Sequence, residues 1–475
     1  MKTITINKPV GMLIDGEYIQ TKKTIPVINP SNEEVIAEVP DASREDLDRA
    51  VAAAREAFPA WSSRPTEERA ELLMKLADVI EKNKDELTEL LMNENGKPLQ
   101  ASQAEMEDAI RWYRAIASQR LDEEILEDSE EHKVVLQYVP LGVVGAIVPW
   151  NFPMNLAAWK IAPALLTGNT LVVKPSPNTP LSTLRMAELA KDLFPKGVLN
   201  IISGGDDLGP WMTAHEGMDK ISFTGSTETG KKVMKSASDN LKRTTLELGG
   251  NDAAIVLSDA DPKQVVEGLF WAAFANTGQV CVDAKRLYIH EKIYDEVLEE
   301  MIAYAKTIQV GDPSDPKTGL GPLQNKMQYD KVRELIQETK DSGARIAYEG
   351  EVPAGKGYYI PVTIVDNPPE DSRLVQEEPF GPIVPLLKYK DIDEAVQRAN
   401  HTKYGLAGSV WGKDLELAYD VASRLETGTV WINESQVMQP DFPFGGHKES
   451  GIGVEHGRAG LAAFTNSRTV MIKKK

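Results

Sequence analysis

The chain carries a single cysteine, Cys281, which closes the segment Asn276-Thr277-Gly278-Gln279-Val280-Cys281, with Asp283, Lys285 and Arg286 just beyond it. A thiolate attacks carbonyl carbon readily, and neighbouring cations favour the thiolate over the thiol. Gly278, three residues ahead, lets backbone approach a ligand closely. The plainer alternative is inert filler, because free cysteines are among the most buried residue types.

Other segments carry groups that can serve such a nucleophile. Pro149-Trp150-Asn151-Phe152-Pro153 follows an apolar run directly, which puts the Asn151 amide at a strand's carboxyl end, where it can donate to a developing oxyanion. Asn beside Pro is also ordinary turn chemistry. Glu247, in Leu246-Glu247-Leu248-Gly249-Gly250, is an acid flanked by apolar residues. Desolvation there raises its pKa toward that of a general base, whereas a surface acid stays ordinary.

Three further segments suit a nucleotide. Lys174 ends Leu171-Val172-Val173-Lys174-Pro175-Ser176 and can meet a ribose or a phosphate; the alternative is a solvated strand-end lysine. Phe223 to Gly230 joins strand to helix, so the Ser226 region can offer helix N-terminal N–H groups to phosphate. Its two glycines do not make the G-x-G-x-x-G fingerprint, and a plain Gly-rich turn fits equally. In the rigid loop Glu377-Glu378-Pro379-Phe380-Gly381-Pro382, one of the paired acids can accept both hydroxyls of a ribose, or the loop is simply solvated.

These segments need elements to hold them. Short apolar runs at Val143 to Val148, Thr170 to Lys174, Val198 to Ser203, Lys220 to Phe223 and Thr244 to Leu248 are separated by helix-length stretches. That alternation implies a parallel sheet with helices on both faces and ligands at the carboxyl ends of its strands. After Gly249-Gly250 a second α/β series begins, with Ala253 to Val256, Arg286 to His290, a helix from Ile293 to about Ile308, and strands at Ile383 to Tyr389 and Gly428 to Ile432. A cleft between two such units is the usual meeting place of cofactor and substrate.

Ahead of them, Ser43 reads as an N-cap before the amphipathic set Leu47, Ala50, Val51, Ala54 and Phe58, and a second helix follows Thr66. The acidic stretch from Glu105 to Glu130 continues this helical layer. Val134 to Trp150, broken by Pro140, Gly142 and Gly145, reads as two buried strands rather than a membrane span. His132 to Val139 and Arg468 to Ile472 fit neither sheet, and exposed strands invite pairing with another subunit.

The 475 residues exceed the roughly 250 to 300 at which one core stops growing, so two or three domains are expected. A net charge of -19 disfavours nucleic acid and anionic membrane as partners. With one cysteine no intrachain disulfide can form, which points to a reducing, cytoplasmic setting. The opening MKTITINKPVGMLIDGEY lacks the apolar core of a secretory signal. Six singly placed histidines and a lone thiol leave no metal ligand set.

Taken in order and at these separations, PWNFP, KPS, FTGSTETG, ELGG, GQVC and EEPFGP resemble the NAD(P)-dependent aldehyde dehydrogenase superfamily, from about residue 10 to about residue 470. The resemblance implies an α/β fold of two doubly wound parallel-sheet domains plus a small β oligomerisation arm. The Rossmann-like cofactor domain would comprise 1–118 and 141–249, the catalytic domain 250–450, and the arm 119–140 with 451–475. A homodimer or homotetramer is expected.

The resemblance also implies roles. Cys281 is the nucleophile, the Asn151 side chain with the Cys281 N–H the oxyanion hole, and Glu247 the general base, with Lys174 counted in the catalytic set as well as the cofactor set. Lys174 meets the adenine ribose, Ser226 the pyrophosphate, and Glu378 with Phe380 the nicotinamide ribose and ring. Gly205 and Gly209 line the adenine side. Pro149, Trp150, Ser176, Phe223, Thr224, Gly225 and Leu248 complete the cofactor surface. Phe152, Trp159, Val280, Val282 and Phe444 form an apolar substrate pocket. The implied reaction oxidises an aldehyde to a carboxylate through a thiohemiacetal and a thioester that water hydrolyses.

Two departures from the family pattern matter. Pro177 stands where an acid often excludes a 2'-phosphate, so NAD is expected and NADP possible. The loop Gln436 to Phe442 holds no arginine for a second carboxylate, which disfavours a dicarboxylic semialdehyde. A coenzyme A-acylating enzyme and a non-catalytic dinucleotide-binding protein are the alternatives.

Overall fold

The structure, a computed structural model, describes residues 10–475; the first nine residues, part of the segment read for a secretory signal, lie outside it. Its larger sheet has eight strands, in the order Glu17–Ile19, Met12–Ile14, Leu199–Ile201, Thr170–Lys174, Val143–Ile147, Lys220–Thr224, Arg243–Glu247 and Gly451–Ile452. The five strands from Leu199–Ile201 to Arg243–Glu247 are parallel, and the outer ones antiparallel. The strands after Val143–Ile147 run first to one side of it and then to the other. The order therefore reverses beside Val143–Ile147, and such a switch point opens a crevice at the strands' carboxyl ends.

The second sheet has seven strands, in the order Arg345–Glu349, Thr363–Asp366, Ile383–Tyr389, Ala284–His290, Asp252–Val256, Ala407–Trp411 and Thr429–Ile432. All are parallel except the first. The central strands of both sheets are buried from end to end and read as near-continuous apolar runs, as parallel strands covered on both faces must.

Four helices, Arg44–Ser62, Thr66–Lys82, Lys84–Asn95 and Leu99–Ser118, form the N-terminal layer. Ser43 caps the first in a capping box with Asp46, as its sequence predicts. The acidic stretch behaves differently from expectation: the helix stops at Ser118, and Glu124–Asp128 is a strand. That strand, His132–Pro140 and Thr465–Lys473 make a separate three-stranded antiparallel sheet.

Of the two strands expected between Val134 and Trp150, only Val143–Ile147 is buried; in His132–Pro140 Val134 alone is fully covered. The C-terminal part of this sheet begins at Thr465 rather than 451, since Gly451–Ile452 pairs with Leu246 and Glu247 in the larger sheet. The hairpin Thr24–Asn29 with Glu34–Pro40 went unread in the sequence.

Candidate active site

The two sheets contribute opposite ends. Lys174, Thr224 and Glu247 close the carboxyl ends of three strands of the larger sheet. Asp252, Cys281 and Glu378 lie at or just before the amino ends of strands in the second, where Asp252 pairs with Ala284 and Thr363 with Ile383. The sequence places Asn151, Lys174 and Glu247 at strand carboxyl ends; in the second sheet Cys281 and Glu378 lie instead on loops that enter strands.

Cys281 is half-buried and packs with Phe152 and Met438 against a cluster containing Trp159, Val280, Val282 and Phe444. All five residues expected to line the pocket belong to or pack against this one apolar cluster. Burial pushes the thiol up to about 12, opposed by Lys285 and reinforced by Glu378, Asp252 and Glu247. The expectation that its basic neighbours leave a ready thiolate is thus corrected: desolvation outweighs Lys285, and Arg286 is turned away onto the carbonyls of Asn251, Arg398 and Ala399. Gly278 also serves a different purpose from ligand approach. Its φ is +74°, and a Cβ would lie 2.3 Å from the Gly381 carbonyl oxygen, so glycine lets the thiol's loop pack on the Glu377–Pro382 loop.

Asn151 is buried, and its Nδ2 donates to the Gln279 carbonyl at 3.0 Å. Its own carbonyl accepts from Lys97 Nζ at 2.9 Å and Asn276 Nδ2 at 3.2 Å. A carboxamide has two N–H donors. One is spent on Gln279, which fixes the group and leaves the second for a ligand. Lys97 is itself held by buried Glu105, which accepts from the Met154 and Asn155 backbone N–H groups at the start of helix Pro153–Leu166. This support was missed, although a Lys and a Glu eight residues apart flanking a helix start are a visible pair.

Glu247 is 4% exposed, and neither carboxylate oxygen has a hydrogen-bond partner among the described residues. Burial first, then the Glu455 charge, raises its pKa well above the ordinary value, while Lys160 opposes them. Lys160 and Glu455 form a buried ion pair at 2.8 Å, with Ser222 Oγ 3.3 Å from Lys160 Nζ. Neither residue was singled out from sequence. The signal existed: a lone lysine in the all-buried helix Pro153–Leu166 must find an anion.

Beside this pair, His456 packs on Trp159 and Trp112 with ring centroids 4.2 Å and 4.3 Å apart. Burial holds its imidazole down to about 3. Trp159 also stands edge-on to Phe444 at 6.0 Å.

Most of the residues expected to meet a cofactor lie at the carboxyl ends of the larger sheet's strands, and Glu378 and Phe380 on a loop of the second. Lys174 is buried, which lowers its ammonium to about 8 against the pull of Asp206 and Asp41. Asp41 accepts from the Gly205 N–H at 2.9 Å and its charge also acts on Lys174, so Lys174 and Gly205 share this carboxylate. Ser176 caps a turn by accepting from the Asn178 N–H, and Gly209 lies in helix Leu208–Ala214 with open space before it.

Ser226 caps helix Thr227–Ala237 by accepting from the Thr229 N–H at 3.3 Å, and the Gly225 N–H is used by the Glu247 carbonyl. Phe223 is buried behind this turn, and Leu248 packs against Gly230. Thr224 Oγ1 is buried without a partner among the described residues. At the other end Trp150, next to Pro149, stands edge-on to Phe380 at 5.3 Å. Glu378 Oε1 accepts from the Gly250 N–H at 3.1 Å, and a Cβ on Gly249 would sit 2.3 Å from Oε2. A buried cation, a strand-to-helix turn, a hydroxyl without a partner among the described residues and a held carboxylate fit a dinucleotide.

The surroundings of the loop Gln436 to Phe442 also depart from expectation. It holds no arginine, but Arg111 reaches it from helix Leu99–Ser118, donating to Gln439 at 3.1 Å and to the Met438 carbonyl at 3.5 Å. Asp108 at 2.5 Å matches its charge. Gln436 ties the loop to the thiol's flank through Asp283 at 2.6 Å.

A thiol loop of one doubly wound sheet, tied through Asn151 to another sheet whose buried Glu247 has no partner among the described residues, suits a dinucleotide-dependent oxidoreductase. The aldehyde dehydrogenase family profile matches residues 18–470. An aldehyde dehydrogenase from Davidiella tassiana is 40% identical over 475 residues, covering 98% of this chain and 96% of that one. The NAD+ complex of an aldehyde dehydrogenase from Bacillus cereus superposes with a TM-score of 0.96 at 38% identity, covering 99% of this chain and 98% of that one. Betaine aldehyde dehydrogenase from Staphylococcus aureus, solved with NAD+, gives 0.95 at 36% identity, with 98% and 95% covered. The chain belongs to the aldehyde dehydrogenase family.

Proposed function

We propose that Cys281, Asn151 and Glu247 carry out NAD(P)-dependent oxidation of an apolar aldehyde to its carboxylate, with hydrolytic release. The observation that carries this reading is Glu247, buried with both oxygens unpartnered among the described residues and close enough to raise the Cys281 thiol. The reaction starts from the Cys281 thiolate, its proton released to solvent. Sγ then attacks the carbonyl carbon, and the oxyanion is held by the free N–H of Asn151 and the Cys281 backbone N–H. When the oxyanion collapses to C=O, hydride leaves the carbon and a thioester remains on Sγ. Bound NAD(P)+ supplies the hydride acceptor, with Lys174 and Gly205 toward the adenosine, Thr224 to Ser226 toward the phosphates, and Glu378 with Phe380 toward the nicotinamide. Glu247 next removes a proton from water. The water oxygen attacks the thioester, the C–S bond breaks, and carboxylate and thiolate separate.

The aromatic wall of Trp159, Phe444 and Phe152 favours aliphatic and benzylic aldehydes, and pairing of Arg111 with Asp108 keeps a second carboxylate disfavoured. NAD is the expected cofactor. Coenzyme A acylation is the competing outcome. Reduced nicotinamide formed from benzaldehyde with no thiol added supports hydrolysis; strict dependence on coenzyme A sinks it. The separate sheet exposes Ile125, Leu126, Met471 and Ile472, which supports a homodimer or homotetramer paired through this arm. No helix among the described residues is long and apolar enough to cross a membrane. The single cysteine supports a cytoplasmic setting.

A further inference from the structure

Lys285 has no role in the chemistry above, yet its ammonium lies on the thiol's own loop. It is the second residue of strand Ala284–His290, with its side chain 4% exposed. Nζ donates to the carbonyls of Val280 and Cys281 at 2.7 Å each and to that of Asp283 at 3.3 Å. Glu378 Oε1 is 3.6 Å away. Three carbonyls absorb the three N–H bonds of an ammonium without neutralising it. The charge stays available to its surroundings.

Those surroundings are acidic. The thiol feels Glu247 from the larger sheet, Asp252 from the second sheet's central strand and Glu378 from the Glu377–Pro382 loop, and Lys285 is the cation that opposes them. The same ammonium leads the opposition to burial at Asp252, Asp283 and Glu378. Lys331 also approaches, but it donates to the Glu378 carbonyl at 3.0 Å. Arg286 is spent on remote carbonyls.

We propose that Lys285 is a positioning residue for Cys281: pinned to the carbonyls of Val280 and Cys281, its ammonium sets the potential at Sγ and is shared between the thiolate and Glu378. This rests on the reading of Cys281 as nucleophile. It assigns to an unremarked lysine the stabilisation of a thiolate that burial alone would suppress, and it makes Glu378 a competitor for that stabilisation.

Because Cys281 is the only thiol in the chain, iodoacetamide labelling followed by intact mass reports its thiolate fraction with no cofactor and no turnover. Lys285→Met is expected to slow labelling at pH 8 by about tenfold, equivalent to about one pH unit, while Lys285→Arg stays within about threefold of wild type. Glu378→Gln, an isostere that removes the competing anion, is expected to speed labelling. Thermal unfolding accompanies each variant, and should Lys285→Met not fold, the sign at Glu378→Gln decides. Unchanged labelling in a folded Lys285→Met, or no acceleration in Glu378→Gln, overturns the proposal. Wild-type turnover that survives complete labelling overturns the nucleophile reading instead, independently of Lys285.

Discussion

Asn151 Nδ2 donates to the Gln279 carbonyl at 3.0 Å, joining the loop after a strand of the larger sheet to the loop that carries Cys281 before a strand of the second. This bond leaves the amide's remaining N–H as the donor for an oxyanion. Asn151→Ala is expected to lower kcat by about a hundredfold to a thousandfold with little change in cofactor affinity. Steady-state kinetics beside NADH titration checks it, and a loss confined to cofactor binding contradicts it.

The support of Asn151 is separable from its chemistry. Lys97→Met leaves Glu105 as an uncompensated buried charge, and breaking such a pair costs about 3–5 kcal/mol. Denaturant unfolding should show that loss, whereas a stability close to wild type would mean that Glu105 is held by its backbone donors alone.

Glu247 divides acylation from deacylation. Glu247→Gln is expected to give a burst of about one reduced cofactor per subunit followed by turnover slowed by roughly a hundredfold or more. In wild type the carboxyl is protonated below its raised pKa, so the steady-state rate should climb with pH to a value well above the ordinary carboxylate range. A rate already flat from pH 5 upward would show an unperturbed base.

Lys174 is held down to about 8 by burial, so its charge is present below that pH and lost as pH rises through it. NADH affinity, read by fluorescence, should therefore weaken above pH 8 by up to about tenfold per unit. Lys174→Met should bind weakly with no such slope. A wild-type profile flat from pH 7 to 9 would remove Lys174 from phosphate or ribose recognition.

Much of this was legible before the fold. The apolar runs at Thr170–Lys174 and Ile383–Tyr389 match their strands residue for residue, because parallel strands buried on both faces leave no polar alternation to blur their ends. Cys281, Asn151 and Glu247 stood out because a lone thiol, an amide after a strand and an acid among apolar residues are each locally unusual. Lys160 with Glu455 was not legible, since partners 295 residues apart come together only through packing. Arg111 was hidden for the same reason: the loop Gln436 to Phe442 has no cation of its own, and this one arrives from a helix. The thiol's acidity was misjudged because burial, invisible in local sequence, outweighs the neighbouring lysine.

The most direct test is to trap the adduct. Glu247→Gln incubated with NAD+ and benzaldehyde, acid-quenched and digested, should carry a benzoyl mass on the peptide containing Cys281, absent when NAD+ is omitted. Undiminished wild-type oxidation with no acyl group on Cys281 in the trapped variant, or with the acyl group on another residue, would contradict a reaction that passes through this sulfur.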